Sequence, residues 1–111
     1  MNNPSLGRLA LMYIKAFAEK DVGSLDVLLS DNVILTDWEL QLVGKMNVMA
    51  FNEELFNKVG PIRIDIKGIC TGQNSVSVEI ILDIDGKRLQ VVDILEFDDE
   101  NKIRYIRAYM Q

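Results

Sequence analysis

Apolar residues recur at helical spacing near the start of the chain. Leu6, Leu9, Ala10, Tyr13, Ile14, Phe17 and Ala18 fall on one face of a 3.6-residue repeat. This predicts an amphipathic helix over about 4–20, opened by Asn3-Pro4 and carrying Tyr13 on its buried face. Gly23 is expected to break it, and Ser24 to cap a short second helix with Leu25, Leu28 and Leu29. Asp31-Asn32 reads as a turn. Val33 to Trp38 is rich in strand formers, and its alternation puts Val33, Leu35 and Asp37 on one face. After Gly44 a third helix is predicted, roughly 45–59, with Val48, Phe51, Leu55 and Val59 in one stripe and Gly60-Pro61 as its stop.

The remainder alternates with period two. Ile62, Ile64 and Ile66 interleave with Arg63, Asp65 and Lys67, and Val76 to Ile84 behaves likewise. Asp85-Gly86 signals a tight hairpin into a strand of roughly 88–97, where Leu89, Val91, Asp93, Leu95 and Phe97 share a face. A polar turn over 98–102 precedes a last strand, roughly 103–110. The order is α-α-β-α-β-β-β-β, an α+β layout in one domain spanning 1–111, with short connections that favour antiparallel neighbours. Helices laid across the concave side of a curved sheet would enclose a pocket.

Composition narrows the chemistry. The 111 residues carry 12 Lys and Arg against 17 Asp and Glu, a net charge of −5, with no basic run, which disfavours nucleic acid as a partner. There is no histidine, so imidazole bases are excluded and metal sites lose their commonest ligand; no metal or cofactor is expected. The single cysteine, Cys70, has no partner for an internal disulfide. No apolar run approaches spanning length and the start lacks a leader pattern, so a cytoplasmic location without membrane contact is expected.

Two acids stand out against the pattern. Asp93 interrupts an apolar row, where an ionised carboxylate costs several kcal/mol unless it is paired or protonated. A protonated acid can donate a hydrogen bond. Asp37 shares a face with Val33 and Leu35 but lies near a strand end, where water reaches and where acids also serve as turn residues. Tyr13 brings a hydroxyl to the same interior, either as core filling or as a third polar tip that needs a partner.

These residues carry a resemblance over almost the whole chain. Tyr13-Ile14, Thr36-Asp37, Gly44 opening a helix, and Val92-Asp93-Ile94-Leu95-Glu96-Phe97-Asp98 followed by Lys102-Ile103 and Ala108-Tyr109 resemble the ketosteroid isomerases. More widely, the chain looks like the nuclear transport factor 2-like superfamily, which includes the SnoaL-type polyketide cyclases. The resemblance implies a cone-shaped, cystatin-like α+β fold, in which a curved antiparallel sheet has three helices packed over its concave face. It also implies that Asp37 is a general base, with Tyr13 and a protonated Asp93 forming an oxyanion hole, the division of labour for which those isomerases are known. Phe17, Leu35, Phe51, Val91, Leu95, Ile106, Ala108 and Met110 are then expected to line the pocket. The expected ligand is a hydrophobic carbonyl compound.

The chain departs from the isomerase pattern at several points. Leu29 and Asn52 stand where further tyrosines support the oxyanion hole, Trp38 follows the base in place of a frequent proline, and Met110 replaces a pocket aromatic. The alternative is a binding or self-association module of the same fold without chemistry. A hydrolase of the superfamily would want a pocket arginine between two acids, whereas Arg63, Arg88, Arg104 and Arg107 alternate onto the outer face. Relatives commonly dimerise through the sheet, and Tyr105, Arg107 and Tyr109 on one face have an interface-like composition that suits a homodimer.

Overall fold

The computed structural model describes residues 5–111. Helix α1 spans Leu6–Ala18, the extent of its apolar repeat and shorter at both ends than the predicted 4–20, and Ser5 caps it by accepting from the Arg8 amide. The expected Asn3-Pro4 opening lies outside the described residues. Helix α2 runs over Val22–Leu28 and takes Asp21, not Ser24, as its cap. The Asp21 carboxylate accepts from both the amide and the hydroxyl of Ser24, the reach expected from an N-cap to the third helical position, so Gly23 sits inside the helix.

Strand β1 (Leu29–Thr36) begins without the expected turn. Asp31 and Asn32 lie within it, exposed, where its register against the last strand is irregular. A three-residue strand, β2 (Gln41–Val43), then folds back on β1 before helix α3 (Lys45–Lys58). Four strands follow: β3 (Ile62–Thr71), β4 (Ser75–Ile84), β5 (Lys87–Phe97) and β6 (Ile103–Met110). Asp85 and Gly86 both take positive φ, as a two-residue hairpin between β4 and β5 requires.

The strands form one sheet in the order β2-β1-β6-β5-β4-β3, curved and unclosed, with the helices packed on one side. The sheet is mixed rather than wholly antiparallel, because β6 runs parallel to β1. Short connections fix the directions of β3 through β6 relative to one another. Nothing so local constrains β1 against β6, which meet only after most of the chain has intervened.

The core lies between α1, α2, α3 and the inner sheet face. In α3 the buried stripe is Val48, Asn52 and Phe56, while Phe51, Leu55 and Val59 are half-buried one step around the helix. Lys20, itself at positive φ, donates from Nζ to the Phe56 and Val59 carbonyls (2.9 and 2.6 Å), joining the end of α1 to the C-terminal end of α3. In β3 the expected apolar face fades outward: Ile62 is buried, Ile64 half-buried and Ile66 exposed, just before a bulge at Gly68.

Candidate active site

Helices and sheet leave between them a cavity of about 450 Å³, within the size range of small-molecule sites. Its wall is mostly apolar and includes Phe17, Leu35, Phe51, Val91, Ile106 and Ala108. Two residues expected there are not part of it. Leu95 is fully buried in the core, and Met110, opposite Val91 at the last pair of β6, is 41% exposed. Alternation puts both on the inner face, but it does not tell how far along a strand a cavity extends.

The strand register shows where the cavity closes. Leu89, Val91 and Asp93 of β5 line it, while Leu95 and Phe97, farther along, are sealed in the core. On β4, Ile80, Leu82 and Ile84 line it, and Val78, which pairs with Asp93, does not. Asp93 therefore sits at the closed end, at the boundary with the core. Trp38, Glu39, Asp85 and Lys87, all exposed, mark the opposite rim.

Tyr13, Asp37 and Asp93 all line this one cavity. Tyr13 is 5% exposed and comes from the buried face of α1. Burial pushes its hydroxyl well above the usual phenol range, and the nearby Asp93 charge pushes it further, so the hydroxyl stays a donor. Burial likewise raises the Asp93 carboxyl from 3.8 to about 7. Near neutral pH a large fraction of Asp93 is thus protonated and able to donate.

Asp37 leaves the end of β1 as a turn residue. Its amide donates to the Leu40 carbonyl (3.0 Å), and its Oδ1 accepts from the amides of Glu39 and Leu40 (2.7 and 2.9 Å). One carboxylate oxygen is thereby fixed, and Oδ2 makes no hydrogen bond to a described residue. Leu35 pairs with Ile106 and Thr36 with Arg107, while Asp93 pairs with Ala108. That pairing ends at Thr36, one residue before Asp37 turns away, and β6, the strand between β1 and β5, contributes Ala108 to the same wall.

The wall includes a polar residue that the apolar stripes do not reveal. Asn52 is 2% exposed, and its Nδ2 is buried without a hydrogen-bond partner among the described residues. Its signal in the sequence is positional: it falls four residues from both Val48 and Phe56, between two core positions of one helix face.

Among the described residues no arginine lines the cavity. Arg104 and Arg107 instead engage Glu96 on the outer sheet face, and Arg107 lies 4.8 Å over the Tyr105 ring. Among the described residues no cluster of His, Cys, Asp and Glu could hold a metal ion, and no helix is long and apolar enough to cross a membrane.

Comparison with known proteins agrees with this architecture. The sequence profile of the SnoaL-like domain family matches residues 10–106. No curated protein matches the chain in sequence. Among solved structures, a nuclear transport factor 2-like protein of unknown function from Cytophaga hutchinsonii is similar with TM-score 0.85 at 14% identity, covering 99% of this chain and 93% of that one. A candidate ketosteroid isomerase from Kribbella flavida gives TM-score 0.83 at 18% identity, covering 96% and 77%. An LEH-like epoxide hydrolase from Mycobacterium tuberculosis gives 0.81 at 22% identity, covering 96% and 82%. At these identities the likeness is one of fold.

Proposed function

The chain belongs to the SnoaL-like domain family, and from that premise we propose that it is an enolising isomerase acting on a hydrophobic carbonyl compound. The observation that supports this reading is the pairing of two neutral donors, Tyr13 and protonated Asp93, with a carboxylate, Asp37, around one apolar cavity. The substrate carbonyl oxygen accepts hydrogen bonds from Tyr13 and Asp93 at the closed end. Asp37 Oδ2 removes a proton from the carbon α to the carbonyl, and the electron pair moves onto the oxygen as a dienolate forms. The two donors stabilise that charge with little reorganisation, because both already line a mostly apolar cavity. Asp37 then returns the proton at the γ carbon, leaving a conjugated enone and the carboxylate as it began. No metal or organic cofactor enters the balance.

The absence of arginine from the wall weighs against hydrolysis that depends on an arginine between two acids. A second reading, a ligand-binding module without chemistry, is favoured by the turn bonds of Asp37, which give that residue a structural role of its own. In either case the ligand is a mostly apolar molecule with a polar group that meets Tyr13 and Asp93. The proposed protein partner is a second copy, meeting this one across the outer face that bears Tyr105, Arg107 and Tyr109.

The test is the rise in conjugated-enone absorbance when the protein meets a β,γ-unsaturated ketosteroid. Turnover is expected to fall by about 10²–10⁴ in Asp37→Asn and by about 10²–10³ in Asp93→Leu. Tight binding with no turnover by the folded parent supports the binding module instead.

A further inference from the structure

Asn52 is unexplained by that mechanism. Buried polar groups are nearly always hydrogen-bonded, and an amide buried without a partner is a standing cost to the folded state. Asn52 occupies the middle of the core stripe of α3, between Val48 and Phe56, where an apolar side chain would pack without that cost. It nevertheless lines the same cavity as Tyr13 and Asp93, amid a wall otherwise apolar on that helix: Phe51, Leu55 and Val59. Rotation about its terminal torsion is soft, so it can present either its NH₂ or its carbonyl oxygen to a neighbour.

We infer that Asn52 is a specificity-determining contact for a second polar group on the ligand, one distinct from the carbonyl held by Tyr13 and Asp93. The inference rests on the enolisation reading and deepens it: the preferred ligand is a flat, mostly apolar carbonyl compound bearing a further hydroxyl or keto group on another part of its skeleton. A site built to hydrogen-bond such a group discriminates against analogues lacking it, because the amide is then left unpaired. A purely apolar ligand would leave Asn52 as it is in the free protein.

Two measurements on Asn52→Leu and Asn52→Ala test this together. The first is thermal melting of the free protein. A ligand contact unpaired in the free state predicts that Asn52→Leu melts at the same temperature or higher, and a marked fall in that variant overturns the inference in favour of a structural role. The second is fluorescence titration with 2-naphthol, whose phenolic oxygen mimics the dienolate, beside dihydroxynaphthalene isomers whose second hydroxyl lies on the other ring. For at least one isomer, the affinity gained over 2-naphthol is expected to shrink about tenfold in both variants, the equivalent of one net hydrogen bond. Taking the ratio to 2-naphthol within each variant removes the change that altering the cavity wall makes to both ligands alike. An unchanged ratio for every isomer overturns the inference. If 2-naphthol binds the parent no better than it binds Asp93→Leu, the oxyanion reading fails, and the melting comparison alone then decides the part played by Asn52.

Discussion

Replacing Asp93 by Asn removes a titrating group from the closed end of the cavity while keeping its shape. In the folded protein the Asp93 carboxyl holds its proton up to about 7, whereas in the unfolded chain it releases it near 3.8. Between those values the folded state binds more protons than the unfolded state, so the contribution of Asp93 to stability falls as pH rises. Below 3.8 both states are protonated and Asp93 adds no pH dependence. Above about 7 both are ionised and the full desolvation cost is present. The whole change is roughly 4 kcal/mol, at about 1.4 kcal/mol for each pH unit crossed. Urea denaturation of the parent and of Asp93→Asn at steps from pH 4 to 9 measures it, since the other carboxyl groups are common to both and cancel. The parent is expected to lose roughly 4 kcal/mol relative to the variant between about pH 4 and 7, and then to run parallel to it. A difference that stays constant with pH would show that Asp93 ionises like a solvated acid and would remove the basis for treating it as a donor.

Three further outcomes follow from particular contacts. Ala108→Leu fills part of the cavity beside Asp93, its cross-strand partner. It is expected to lower 2-naphthol affinity and enone formation at least about tenfold, with a melting temperature no lower than the parent's because the added side chain enters an apolar cavity. Lys20→Met removes two hydrogen bonds from an ammonium to the last carbonyls of α3 and should cost about 1–3 kcal/mol by urea denaturation, leaving ligand affinity within about twofold. Tyr109 is 56% exposed on the outer sheet face, and if a second copy covers it, Tyr109→Lys should shift the protein from dimer toward monomer in sedimentation velocity. A parent that sediments as a monomer at high concentration contradicts that partner.

Much of the site was legible because it depends on short periods. The helical repeat alone puts Tyr13 inward, and the strand alternation alone puts Asp93 in the apolar row of β5, which is where the structure has them. Asp37 was readable both as a turn residue and as a pocket residue, and it is both: one oxygen is held in the turn while the side chain lines the cavity. Other features depend on distances along the chain that no period encodes. The parallel pairing of β1 with β6 joins segments from opposite ends of the sequence, and β2 is three residues long, too short for alternation to register. Leu95 and Met110 show the limit of a facing argument, since both share the inner face with Val91 or Ala108 yet lie off the wall. Asn52 is marked in the sequence by the isomerase pattern it departs from and by its spacing from Val48 and Phe56, but a stripe of apolar residues passes over it, and its burial without a partner is visible only in the structure.

In the proposed reaction Asp37 takes a proton from carbon while Tyr13 and Asp93 hold the resulting oxyanion. The α-proton signal in D₂O tests this, because it is lost both by exchange with solvent deuterium and by transfer of the proton to the γ carbon. The protein is incubated in D₂O with a β,γ-unsaturated ketone, and the α-proton signal is followed by NMR. Loss of that signal is expected with the parent, slowed by at least about 10²-fold in Asp37→Asn under the same ligand saturation. An α-proton signal that persists with folded, ligand-saturated parent, or loss that proceeds equally fast in Asp37→Asn, would contradict that reaction.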